Sequence, residues 1–223
     1  KGERANKAAF KGKKAWIPAL IFGLIVSGLT WHFLNDASKE DSLETIGRSG
    51  INLMTAEKWT REGNVRWVLG SGDIHAVGEL TGILQIELPF REFNLSGEVM
   101  ADPDAIGGIG FWCSGFEENG QAEGGYLFHI SGSRGSDFPT GSLMTDSPLS
   151  VNRSSRFKDN QWSSFQLRVS QSSFRGSLDG ESTFVFPPLP ENRRARGDFL
   201  YLEQSSKRGR ISFRKLQLTP LGE

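Results

Sequence analysis

The chain has little of what most metal and nucleophilic centres are built from: one cysteine, Cys113, and three histidines, His32, His75 and His129, in 223 residues. A lone cysteine forms no internal disulfide, and Cys113 is predicted to be a buried, small apolar side chain rather than a reactive thiol. The histidines lie far apart, without the close Cys, His or carboxylate spacing of a metal site, so no metal is predicted. His32 is expected at the edge of a membrane segment. A G-x-S-x-G nucleophile elbow and a phosphate-binding glycine loop are also missing; Gly108 and Gly110 fail to open G-x-G-x-x-G because Cys113 takes its last place. Gly107, Gly108 and Gly110 are instead expected to be strand glycines that permit close approach. The motifs therefore nominate no catalytic residue and no cofactor.

Charge is missing altogether from Ala15 to Leu34, a run of 20 residues. At about 1.5 Å per residue a helix of that length matches the roughly 30 Å hydrocarbon core of a bilayer. Trp16 and Trp31 stand near its two ends, where an indole keeps its N–H wet, and Lys11, Lys13 and Lys14 are the basic anchors before it. Six basic residues oppose Glu3 before the run, whereas Asp36, Glu40, Asp41 and Glu44 oppose Lys39 just after it. The positive-inside bias then predicts a cytoplasmic N-terminus and an extracytoplasmic remainder, with residues 1–14 as a basic tail against the lipid bilayer. A cleaved signal peptide is the competing reading; the run exceeds the usual apolar region of about 7–15 residues and no A-x-A-like site follows it. Ala15, Ala19, Gly23 and Ser27 recur every four residues, a stripe of small side chains that predicts packing against an integral membrane partner's helix.

From Ala15 onward acidic residues outnumber basic ones, 25 to 20, which argues against nucleic-acid binding by the outer part. The basic clusters Arg193-Arg194-Arg196 and Lys207-Arg208-Arg210 are expected to be solvated loop charges. Residues 35–58, polar and acidic through Arg48, are assigned to a tether. Residues 59–223 suffice for one domain with a sizeable core. There the helical period gives way to short β-branched and aromatic runs between Gly, Pro, Asn, Asp and Ser clusters. Candidate strands are 65–69, 83–88, 93–100, 108–113, 126–131, 162–169, 173–178, 183–186, 199–203 and 211–218. Asp179-Gly180 predicts a type I′ hairpin turn, and a change of apolar phase near Arg214-Lys215 predicts a bulge. About ten strands without intervening helices predict a mainly β, two-sheet jelly-roll sandwich behind one N-terminal transmembrane helix. Two longer irregular stretches, 114–125 and 132–156, are candidates for mobile or binding loops.

The succession Gly78–Met100, Gly107–Gly115, Gly124–Gly132, Asp159–Glu181 and Asp198–Leu221 resembles the bacterial 3-keto-disaccharide hydrolase-like domain, a concanavalin-like jelly roll, over about residues 59–221. Trp162 before an alternating strand, the Asp179-Gly180 turn and the final Phe213-Arg214 strand carry the likeness. The resemblance implies polar catalytic residues in the concave groove of one sheet, and there the chain departs from the family. Gly125-Tyr126-Leu127 stands where members read Gly-Tyr-Glu. Gly107-Gly108 and then Trp112 replace Asn-Ser-Gly and an Arg, and Gln204-Ser205-Ser206 replaces Gln-x-His-Gly. Together these losses imply a retained fold with abandoned catalysis.

Trp112, Phe116, Tyr126 and His129 are the candidate groove for a glycan or a partner, with core packing as the alternative for the aromatic residues. The function expected is a non-catalytic, single-pass accessory subunit of a bacterial inner-membrane complex, respiratory, photosynthetic or signalling, whose sandwich covers the partner's periplasmic face. A membrane-tethered carbohydrate-binding domain and an active 3-keto-glycoside hydrolase or lyase are the alternatives.

Overall fold

In the computed structural model the described residues are 50–55, 57, 59–70, 72–77, 81–117, 121–186 and 197–222. The uncharged run 15–34, its anchors Lys11, Lys13, Lys14, Trp16 and Trp31, and the stripe Ala15, Ala19, Gly23 and Ser27 lie outside them. So does Arg193-Arg194-Arg196. Among the described residues no helix is long and apolar enough to cross a membrane.

Among the described residues seventeen strands follow one another: β1 (Ile51–Asn52), β2 (Thr60–Gly63), β3 (Arg66–Leu69), β4 (Ile74–Val77), β5 (Gly82–Glu87) and β6 (Phe93–Ala101). Next come β7 (Ile106–Cys113), β8 (Gly115–Phe116), β9 (Ala122–Glu123), β10 (Tyr126–Ser131), β11 (Leu143–Met144) and β12 (Pro148–Ser150). The last are β13 (Ser163–Val169), β14 (Phe174–Leu178), β15 (Glu181–Phe186), β16 (Phe199–Gln204) and β17 (Ile211–Pro220). The first sheet has the order β15-β14-β13-β6-β17-β4-β3, with β1 added to β17; the second has the order β12-β11-β10-β7-β16-β5-β2. Both are antiparallel, and the expected two-sheet sandwich is present.

The ten candidate strands all appear, with no end moved by more than two residues; the two-residue shifts are the starts of β7 at Ile106 and β15 at Glu181 and the end of β17 at Pro220. Short strands β2, β4, β11 and β12 were not anticipated, because two to four residues are too few for an alternation to declare itself. The stretches 114–125 and 132–156, expected to be irregular, contribute the β8–β9 hairpin, the edge strand β12 and its neighbour β11. The sandwich also begins earlier than the tether assignment of 35–58 allows. Ile51 pairs with Leu218, Leu53 is fully buried, and Trp59 Nε1 donates to the Leu53 carbonyl at 2.9 Å.

The inner faces meet in one apolar layer. Alternation in β13 delivers Phe165, Leu167 and Val169 to it, and Phe93, Leu95 and Val99 of β6 arrive from the next strand. Opposite them stand Ile109, Phe111, Phe128, Ile130, Leu200 and Leu202 of the second sheet. The predicted turn is present: Asp179 and Gly180 both have positive φ, 49° and 81°, and Asp179 Oδ1 accepts from the Ser164 amide at 2.7 Å. The predicted bulge is present too, as a register shift between Arg214 and Gln217 with Lys215 at φ 56°.

Candidate functional site

The outer face of the second sheet is where the resemblance puts a groove, and its floor is set by the strand register. One row across it reads His129, Gly108, Glu203, Ile83 and Glu62. The next reads Leu127, Gly110, Tyr201, Gln85 and Thr60. Two central positions lack a side chain, the arrangement that lets another group lie flat on the backbone. At Gly110 that group is the ring of Tyr201, which a Cβ would overlap. Leu127 folds over Gly108 in the same way.

Apolar side chains close what remains. Ile83, Cys113 and Tyr201 are 1%, 0% and 4% exposed, and Phe116, Ala122, Leu127 and Phe199 pack on them. Phe116, carried by the β8–β9 hairpin, meets Phe199 and Tyr201 edge-on at centroid distances of 5.7 and 5.5 Å. Burial pushes the Tyr201 phenol well above its ordinary pKa and raises the Cys113 thiol, so both stay protonated at neutral pH. Cys113 Sγ also reaches the Gly115 carbonyl, and the expectation of an inert, buried cysteine agrees with this.

Polar groups persist on one side of the face. Gln85 Nε2 donates to Glu62 Oε1 at 3.0 Å. Glu203 has a raised pKa, chiefly from burial, with a hydrogen bond from Ser205 opposing the shift. His129 is 4% exposed and its Nε2 has no hydrogen-bond partner. Burial lowers its pKa to about 4, against a hydrogen bond with the Phe138 backbone, so the imidazole is neutral at pH 7. Among the described residues no three His, Cys, Asp or Glu side chains group as metal ligands do.

The four residues expected to line one groove are separated. Trp112 sits at a bulge, φ 57°, where the β7–β16 register slips, and this extra residue turns its indole inward. There it is 6% exposed, Nε1 donates to the Arg91 carbonyl at 2.8 Å, and its ring meets Phe174 edge-on at 5.0 Å. Tyr126 is likewise in the inter-sheet core, stacked on Phe111 at 5.5 Å. Both are corrected from ligand candidates to core residues. Only Phe116 and His129 remain on the outer side, Phe116 as part of the apolar cover and His129 beneath the 132–142 loop, whose Ser142 carbonyl accepts the His129 amide at 2.9 Å. Gln204 points inward as well, and its amide binds the Ser206 and Gly209 carbonyls and the Ile211 amide.

Tyr201, Ile83 and Phe199 are the groove residues that sequence reasoning missed. Their strands are apolar on both faces, so alternation carries no sign of which side is the core.

Residues 50–219 match the 3-keto-alpha-glucoside-1,2-lyase-like domain. The chain belongs to that family. No curated protein matches it. Among solved structures, a candidate glycosyl hydrolase from Parabacteroides distasonis is similar at 14% identity and TM-score 0.59, over 80% of this chain and 97% of that one. A galectin-like-fold protein of unknown function from Bacillus subtilis gives 9% identity and TM-score 0.62, over 78% and 97%. A carbohydrate-binding module from Bacillus subtilis gives 11% and 0.51, over 74% and 97%. At these identities the likeness is one of fold, and the fold is a two-sheet sandwich with jelly-roll-like neighbours.

Proposed function

We propose that the chain is a non-catalytic member of its family, a single-pass membrane protein whose sandwich serves as an interaction domain beside an integral membrane partner. The observation that carries the first half is the closed groove: Tyr201 lies over Gly110, and Leu127 stands on the strand where the family resemblance implies a carboxylate. Neither a phenol held protonated nor a leucine can act as a general base at neutral pH. The second half is supported by the sequence of 15–34, its flanking charges and its small-residue stripe.

Purification of the full chain in mild detergent, followed by mass spectrometry, tests the reading. A stoichiometric membrane partner is expected, with recovery reduced by Gly23→Leu or Ser27→Leu. Turnover of a 3-keto-glycoside by the purified chain, or partner recovery unchanged in both variants, would overturn it.

A second reading, saccharide binding without turnover, is favoured by the fold shared with the Bacillus subtilis carbohydrate-binding module. With the family groove filled, such binding needs another surface. A glycan array on the detergent-purified chain tests it, and absence of any saturable signal counts against it.

A further inference from the structure

The outer face of the first sheet is the opposite of the closed groove: open, polar and almost free of apolar cover. Register fixes two rows on it. One reads Val185, Arg175, Arg168, Asn94 and Thr219, the other Ser182, Ser177, Gln166, Ser96 and Gln217. The second row is five uncharged hydrogen-bonding side chains side by side. A shallow depression of about 590 Å³ lies over the two rows between β6 and β15.

Arg168 and Arg175 are direct cross-strand neighbours and both are exposed. Like charges placed so are unfavourable, by a few tenths to about 1 kcal/mol. Nothing in the described residues offsets this, since neither arginine has an ion pair or hydrogen bond, and the nearby carboxylates are engaged elsewhere. Glu98 holds Arg214 and Lys215, Glu181 holds Arg156 at 3.0 Å, Glu92 accepts from the Gln171 amide, and Asp179 accepts from Ser164. The outer part of the chain as a whole carries more acidic than basic residues, so two adjacent unpaired guanidinium groups are not a by-product of a basic surface.

We infer that this face binds an acidic saccharide, its carboxylate taken between Arg168 and Arg175 and its hydroxyls by the row through Gln166 and Ser96. Two guanidinium forks supply parallel, charge-assisted hydrogen bonds to a carboxylate, and amide and hydroxyl side chains match sugar hydroxyls. Val185, 62% exposed at the end of the arginine row, offers an apolar contact for the C–H face of a ring. The inference rests on the saccharide-binding reading and gives it a place and a charge.

The full chain in mild detergent is titrated calorimetrically at low salt with an oligogalacturonate and with its fully methyl-esterified, neutral counterpart. Saturable binding of the acid is expected, weakened about tenfold or more by esterification and about fivefold or more by Arg168→Gln or Arg175→Gln. The double variant should bind nothing while unfolding at the same or a higher temperature, because a repulsive pair has been removed. A merely structural pair would show the reverse, a lower midpoint.

Equal binding of the two oligomers, or displacement of the acid by equimolar inorganic phosphate, would overturn the assignment. So would phosphatidylglycerol vesicles that bind through the same two arginines while the oligomer does not. Binding of neutral glycans alone removes this site but leaves saccharide binding standing; silence toward every saccharide removes both.

Discussion

Gly110 and Tyr201 form a tight glycine contact on the closed face, a ring resting where a Cβ would be. Gly110→Ala is expected to cost about 1–3 kcal/mol, the usual penalty for overpacking. The cost should shrink when Tyr201→Ala is present, since the clash partner is gone, and a double-mutant cycle by urea unfolding measures the difference. His129 carries the second prediction at this scale. Its pKa is about 4 when folded against about 6.5 when exposed, so the unfolded chain binds the extra proton between those values. Stability should therefore fall as pH drops from about 6.5 to 4, by an amount on the order of 3 kcal/mol from this group. Glu203, with its pKa raised, acts in the opposite sense above about 4.5. His129→Asn should flatten the slope in thermal unfolding across that window; an unchanged slope would remove His129 as its source.

At the scale of elements, the β14–β15 hairpin depends on two residues with positive φ, and the first is not a glycine. Asp179 tolerates the conformation and uses its carboxylate to hold the start of β13 through the Ser164 amide. Asp179→Ala loses both and is expected to cost about 1–3 kcal/mol. Asp179→Asn should cost less, and the two urea midpoints decide. This turn and the Lys215 bulge were readable from sequence because each is a local event with its own signature. The bulge at Trp112 was not: the run Ile109-Gly110-Phe111-Trp112-Cys113 has no polar residue to betray a change of phase. One unseen extra residue moved Trp112 from the expected groove into the core. The unbroken apolar run of β16, Phe199-Leu200-Tyr201-Leu202, hid the groove cover for the same reason, since both faces of that strand are covered.

For the molecule as a whole, the sandwich was legible in strand number, polarity and turn chemistry, whereas its first boundary was not. The polar, acidic composition of 35–48 encouraged a tether running to residue 58, yet Leu53 is fully buried and Ile51 pairs with the final strand. A chain starting at Gly50 is expected to fold, and one starting at Trp59 should be less stable by about 2–5 kcal/mol, the range for emptying a buried leucine site. Comparing the urea midpoints of the two chains checks the boundary, and equal midpoints would restore the longer tether. The charges of Lys207, Arg208 and Arg210, read from sequence as solvated, are exposed in a loop before β17.

The pairing of Ile51 and Asn52 with Leu218 and Gln217 has a mechanical meaning. Any pull arriving along the backbone from the N-terminal side reaches the sandwich at these two residues first. It would load β17, the longest strand among the described residues, which itself pairs with β6 and β4. At two residues long, this antiparallel seam is the first pairing such a load would meet, ahead of the layer between the sheets.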